Sequence, residues 1–117
     1  MRIFVRRRRP QRAPLGSMFI FLDREDAAKR QAHLEDLSRR LRRVRADLEA
    51  CLRQEFLPGK QTRVRAGRLA YLDLLMEASA LLGIGHELTE LRGVDRQLEI
   101  LRVEAALGTA GMRLQAA

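Results

Sequence analysis

Along the first half of the chain, Ala27, Arg30, Leu34, Leu37, Leu41, Val44, Leu48, Cys51 and Glu55 follow one another at alternating spacings of three and four, and seven of the nine are apolar. Residues so spaced share one side of a helix, and a seam kept up over nearly four heptads argues for coiled-coil-like packing. The pattern predicts a first helix over residues 24–56, about 50 Å long at 1.5 Å per residue. Asp23 stands where an N-cap accepts hydrogen bonds from free amides, and Glu25 and Asp26 suit the positive end of the helix dipole. Leu22 can pack on Ala27 as a short staple.

Leu57-Pro58-Gly59 ends the pattern, because proline disfavours helical geometry in the residue before it and Gly59 supplies a turn. With Thr62 as the next N-cap, a loop of Leu57 to Gln61 leads into a second helix over residues 63–82. So short a loop joins antiparallel neighbours. Between Leu69 and Ile84, twelve of sixteen residues are apolar, and Asp73 and Glu77 mark a narrow polar stripe. A helix apolar on most faces is covered by more than one neighbour. Gly67, with Ala66 and Ala70, lets another helix approach closely.

Gly83-Ile84-Gly85 then bends or breaks the chain. A third amphipathic stretch follows, with Ile84, Leu88, Leu91, Val94, Leu98, Leu101 and Ala105 on one side, and predicts a helix over residues 86–107. Gly93 inside it costs about 1 kcal/mol relative to Ala, so a break there with Asp95 as a new N-cap is the alternative. Only Met18 to Phe21 reads as a strand, and it has no mate. The expected fold class is all-α, a long helix plus two shorter helices forming an antiparallel coiled-coil-like hairpin or small helical bundle.

With 117 residues, 46% apolar and 32% charged, the chain makes one folded domain, expected over residues 18–117. One Cys excludes a disulfide scaffold, and two His, His33 and His86, argue against a His-based metal site. His86-Glu87 opens like a zinc-protease helix, but Glu90 stands where the second His belongs. Cys51 with His86 as base would need a third, orienting group, and a buried heptad position explains the thiol better. Asp73 and Glu77 read as a solvated face, and Gly83-Ile84-Gly85 lacks the strand that precedes a phosphate loop. The expectation is no enzyme and no cofactor. The longest apolar run, Met18 to Leu22, is five residues, so no integral membrane segment is expected, and an intracellular location is.

The net charge of +8 is unevenly spread. Residues 1–17 hold six Arg and no acid, and Ala13-Pro14-Leu15-Gly16-Ser17-Met18 looks like a vector-derived join before a start codon. They read as a basic disordered tail, native or not. Residues 38–68 hold ten bases against three acids. Arg39, Arg40, Arg42, Arg43 and Arg45, with Lys60, Arg63, Arg65 and Arg68, are a candidate anion or nucleic-acid patch near the hairpin tip. The competing reading has the Arg stems covering apolar flanks while their heads pair with acids. Stacking aromatics are scarce, with no Trp and one Tyr.

The leading expectation is therefore a non-catalytic interaction protein that self-associates or binds a partner helix through its seams. The candidate seam residues are Leu34, Leu37, Leu41, Val44, Leu48, Leu69, Leu72, Met76, Leu88, Leu91, Leu98 and Leu101. From Leu34 to Arg92, the leucine spacing around Pro58-Gly59 resembles the small helical co-chaperones of bacterial type III secretion. That resemblance implies a hairpin that shields a partner's helix, and it assigns no residue a role. The alternative is a nucleic-acid-associated protein gripping phosphates with its tail and hairpin tip. A third reading is a peripheral membrane protein anchored through Met18 to Leu22.

Overall fold

The computed structural model describes residues 16–114, with side chains from residue 24. Three helices and no strand occur among the described residues: α1 (Gly16–Arg53), α2 (Lys60–Leu82) and α3 (Gly93–Thr109). The chain divides into two units, Met1–Gln31 and Ala32–Ala117, with α1 entering both. The tail expected over residues 1–17 lies outside the described residues as far as position 15. Asp23 is not a cap, because the backbone is helical from Gly16, and Met18 to Phe21 is helix rather than strand. No Pro or Gly interrupts Met18 to Leu22, so nothing there stops a helix already begun.

In the second unit α1 and α2 form an antiparallel hairpin. Leu48 meets Gly67 near the tip, and His33 Nε2 lies 3.0 Å from Glu77 Oε2 toward the other end. A Cβ on Gly67 would fall 2.9 Å from Leu48 Cδ2, so the missing side chain leaves the space that Leu48 fills. The seam holds from Leu34 to Cys51: Leu37 and Leu41 are fully buried, Leu34, Val44, Leu48 and Cys51 half-buried, while Arg30 and Glu55 are exposed.

The hairpin connection differs from expectation at both ends. α1 stops at Arg53, where Gln54 N–H turns back to Cys51 O at 3.2 Å. α2 starts at Lys60, because Gly59 adopts a left-handed φ of 67° and Arg63 N–H already donates to Gly59 O at 3.0 Å. Thr62 therefore sits within the first turn and caps nothing. At the far end Gly83, with φ 69°, closes α2, and Ile84 N–H donates to Ser79 O at 2.9 Å.

The third helix departs most from the sequence reading. Residues 84–92 are not helical, and Gly93, with φ 59°, begins α3, so the chain breaks at Gly93 and no helix runs unbroken over 86–107. Arg92 takes the N-cap position, and Asp95 lies in the first turn. Leu88 and Leu91 are thus out of phase with Leu98 and Leu101. Leu88 enters the core from the connection, at 1% exposure, while α3 buries Glu99, Val103 and Leu107 instead. Descending α1 from Arg45 to Arg42 meets first Glu104 and then Arg113 O, so the C-terminal leg runs antiparallel to α1. Met112 and Leu114 close the core behind it.

A buried glutamate on α3 is sustained by its partners. Glu99 accepts from Arg102 Nε at 2.7 Å and from the Glu87 N–H at 2.7 Å, and Arg102 also donates to Gly85 O at 2.7 Å. Together they clamp the connection along α3. The Arg102 hydrogen bond and then the Glu87 amide hold the Glu99 carboxyl at about 2, below its ordinary 4.5. A depressed folded-state value means the contribution is complete above pH 4.5 and fades as pH falls toward about 2. Urea midpoints measured over that window should decline in the wild type, and in Glu99→Gln the decline should be smaller. Equal slopes would remove the clamp from the account.

Ser79 is fully buried, and its hydroxyl has no hydrogen-bond partner among the described residues. Ser79→Ala removes an unsatisfied polar atom and improves helix propensity, so stability should rise by about 1 kcal/mol. A fall in the urea midpoint would show that the hydroxyl is satisfied.

Candidate partner-binding groove

The twelve candidate seam residues separate into two populations. Leu37, Leu41 and Leu88 belong to the core, with Leu34, Val44, Leu72 and Met76 packed against it and Leu48 and Leu91 half-buried. Leu69, Leu98 and Leu101 are instead exposed at 55%, 59% and 61%, and Val94 is more exposed still. Nine residues, two and a half turns, separate Val94 from Val103 and Leu98 from Leu107. The stripe of Val94, Leu98 and Leu101 therefore points away from the core that Val103 and Leu107 fill. α3 is apolar on opposite sides, and only one side is used internally.

Beside this stripe lies a groove of about 340 Å³ between α1, α2 and α3. Leu48 comes from α1, Tyr71 and Leu72 from α2, and Ile100 and Leu101 from α3. Arg45, Arg68, Arg96, Gln97 and Glu104 complete its lining. Arg96, Ile100 and Glu104 stand at successive i,i+4 positions of α3, so one helix face brings a cation, an apolar residue and an acid to the groove.

Tyr71 anchors the groove. Its hydroxyl donates to Glu104 Oε2, and Arg45 Nη1 lies 3.6 Å from the same oxygen. Burial, and then the neighbouring Glu104 carboxylate, push the phenol well above its ordinary 10.0. Among the described residues neither Arg68 nor Arg96 forms an ion pair with a carboxylate, although Arg96 Nε donates to Leu91 O at 2.9 Å.

The nine basic candidates do not share one surface. Arg39 and Arg40 lie 3.2 and 3.8 Å from Asp36 carboxylate oxygens. Arg42 donates to Arg113 O at 2.6 Å, and Lys60 to Leu52 O at 3.2 Å. Arg43, with Arg40, borders a cleft that also holds Asp73 and Glu77. Arg63 lines a separate cleft of about 410 Å³ at the hairpin tip, with Cys51, Leu57 and Gly67, while Arg65 is exposed. Arg45 and Arg68 alone of the nine enter the groove against α3.

His86 lies in the 84–92 connection rather than at a helix start, and its Nδ1 accepts from the Leu88 N–H at 3.2 Å. It is not among the residues lining the cleft of Cys51. No group of three or more His, Cys, Asp or Glu among the described residues is arranged to hold a metal ion. Among these residues, too, no helix is long and apolar enough to cross a membrane.

Sequence reasoning missed Arg96, Ile100 and Glu104, because it followed the stripe of Val94, Leu98 and Leu101 and not the neighbouring face of the third helix. Their i,i+4,i+8 spacing was the available signal. Comparison with protein-family models, with curated proteins and with solved structures finds no match.

Proposed function

We propose that this chain is a helical interaction protein, of the adaptor, assembly-factor or chaperone kind, that takes a partner helix into the groove beside α3. The observation that carries the reading is the outward apolar stripe of Val94, Leu98 and Leu101, continuous with a groove that Leu101 itself lines. An apolar groove bounded by helices suits the apolar face of an amphipathic helix. Exposed leucines at helical spacing, adjoining a concave surface, are also a common signature of a protein-protein site. Binding to phosphate backbone is less favoured, since Arg39, Arg40 and Arg42 already have partners within the chain.

Tyr71 is the single Tyr in a chain without Trp, and it lines the groove, so its emission reports on occupancy. The test titrates the full chain with a Leu/Gln amphipathic peptide free of Tyr and Trp, and follows self-association by light scattering. Wild type should change its Tyr71 emission or associate. Leu98→Glu/Leu101→Glu should keep its helicity, both positions being more than half exposed, and lose that response. A monomeric wild type whose emission no peptide alters would falsify the reading.

A further inference from the structure

We infer that the helix received by this groove is an acidic one, presenting carboxylates on both flanks of an apolar stripe. The inference rests on the interaction reading above and adds the chemistry of the partner. The groove holds three guanidinium groups, Arg45, Arg68 and Arg96, one from each helix, against the single carboxylate of Glu104. That carboxylate is already engaged by Tyr71 and Arg45. Arg68 and Arg96 have no carboxylate among the described residues, so an excess of two positive charges borders an apolar floor.

Charge complementarity decides among occupants. A second copy docked groove to groove about a two-fold axis would set arginines against arginines, since such an interface uses the same patch twice. A nucleic-acid backbone would match the guanidiniums and leave Leu48, Leu72 and Leu101 without an apolar partner. A helix with leucines at i, i+3 and i+4 and glutamates beside them satisfies both the floor and the rim. Guanidinium geometry also favours carboxylate, because two parallel N–H donors meet its two oxygens.

The experiment compares three synthetic peptides of about 16 residues, some 24 Å as helix at 1.5 Å per residue. They share leucine positions, lack Tyr and Trp, and carry Glu, Gln or Lys on the flanks. Each is titrated into the full chain while Tyr71 emission is read. The Glu peptide should bind roughly tenfold more tightly than the Gln peptide, and the Lys peptide should not bind. Added salt should narrow the Glu–Gln difference. Arg68→Gln should weaken the Glu peptide severalfold and leave the Gln peptide unchanged, with circular dichroism confirming the fold. Arg96→Gln repeats the test from α3.

Equal binding of the Glu and Gln peptides would overturn the acidic preference while leaving the interaction reading intact. A dimer that occupies the groove and is dissociated by Leu101→Glu would do the same. No binding by any peptide to a monomeric chain would overturn both.

Discussion

Leu41→Asp is expected to abolish cooperative folding of the second unit. Leu41 is fully buried among Leu37, Leu75, Val103 and Leu107 in a single cluster. An aspartate there must either keep an unpaired charge out of water or take up a proton. Protonating a carboxyl of ordinary pKa at pH 7 costs about 4 kcal/mol, at 1.36 kcal/mol per unit. Losing the leucine's burial adds roughly 2 kcal/mol. The sum rivals the whole stability of a small domain, about 5–15 kcal/mol. Far-UV circular dichroism in increasing urea should show a weakened signal and no sigmoidal transition. Leu101→Asp, at an exposed position of the same apolar character, should unfold within about 0.5 kcal/mol of wild type. Similar behaviour of the two variants would mean that the inward and outward faces of the bundle have been misassigned.

The second large effect is expected from Gly67→Leu. A Cβ alone at this position would sit 2.9 Å from Leu48 Cδ2 and 3.0 Å from Leu48 Cγ, so a full leucine side chain cannot enter without parting α1 from α2. Overpacking of this kind costs about 1–3 kcal/mol. For a domain of this size each kcal/mol lowers Tm by roughly 4–8 °C. Gly67→Ala should behave differently. Leu48 is half-buried beside the tip cleft and can swing aside, and alanine regains up to about 1 kcal/mol of helix propensity. The two effects oppose each other, and the net change should be close to zero. Leu48→Ala combined with Gly67→Leu should recover much of the loss, since the large and small residues exchange sides. Thermal unfolding of the four proteins checks the series. A Gly67→Leu variant as stable as wild type would show that the helices do not meet there.

Several elements are legible in the sequence, because their causes are local. The seam from Leu34 to Leu48 obeys the helical period, and Leu37 and Leu41 are buried where that period places them. Pro58-Gly59 lies in the connection ahead of α2 and Gly83 closes α2, for stereochemical reasons that need no neighbours. The role of Gly67 followed from small residues on an apolar helix, and Leu48 is the side chain that fills the space. The third helix was harder. Two registers of apolar residues run through it, one through Val94, Leu98 and Leu101 and another through Val103 and Leu107, and periodicity alone does not say which of them turns inward.

The sequence by itself determined an all-α chain, the α1 seam and the antiparallel hairpin, since period, propensity and helix breakers act within a few residues. Only the tertiary structure decided which face of α3 turns inward. That choice depends on the path of the 84–92 connection, set by the break at Gly93 and held by Glu99 and Arg102 on Glu87 and Gly85. The same choice gathers Arg45, Arg68 and Arg96 at one groove, while Arg39, Arg40 and Arg42 find partners elsewhere. Which charges stand together depends on how three helices pack, and residues distant in sequence carry no local signal of that.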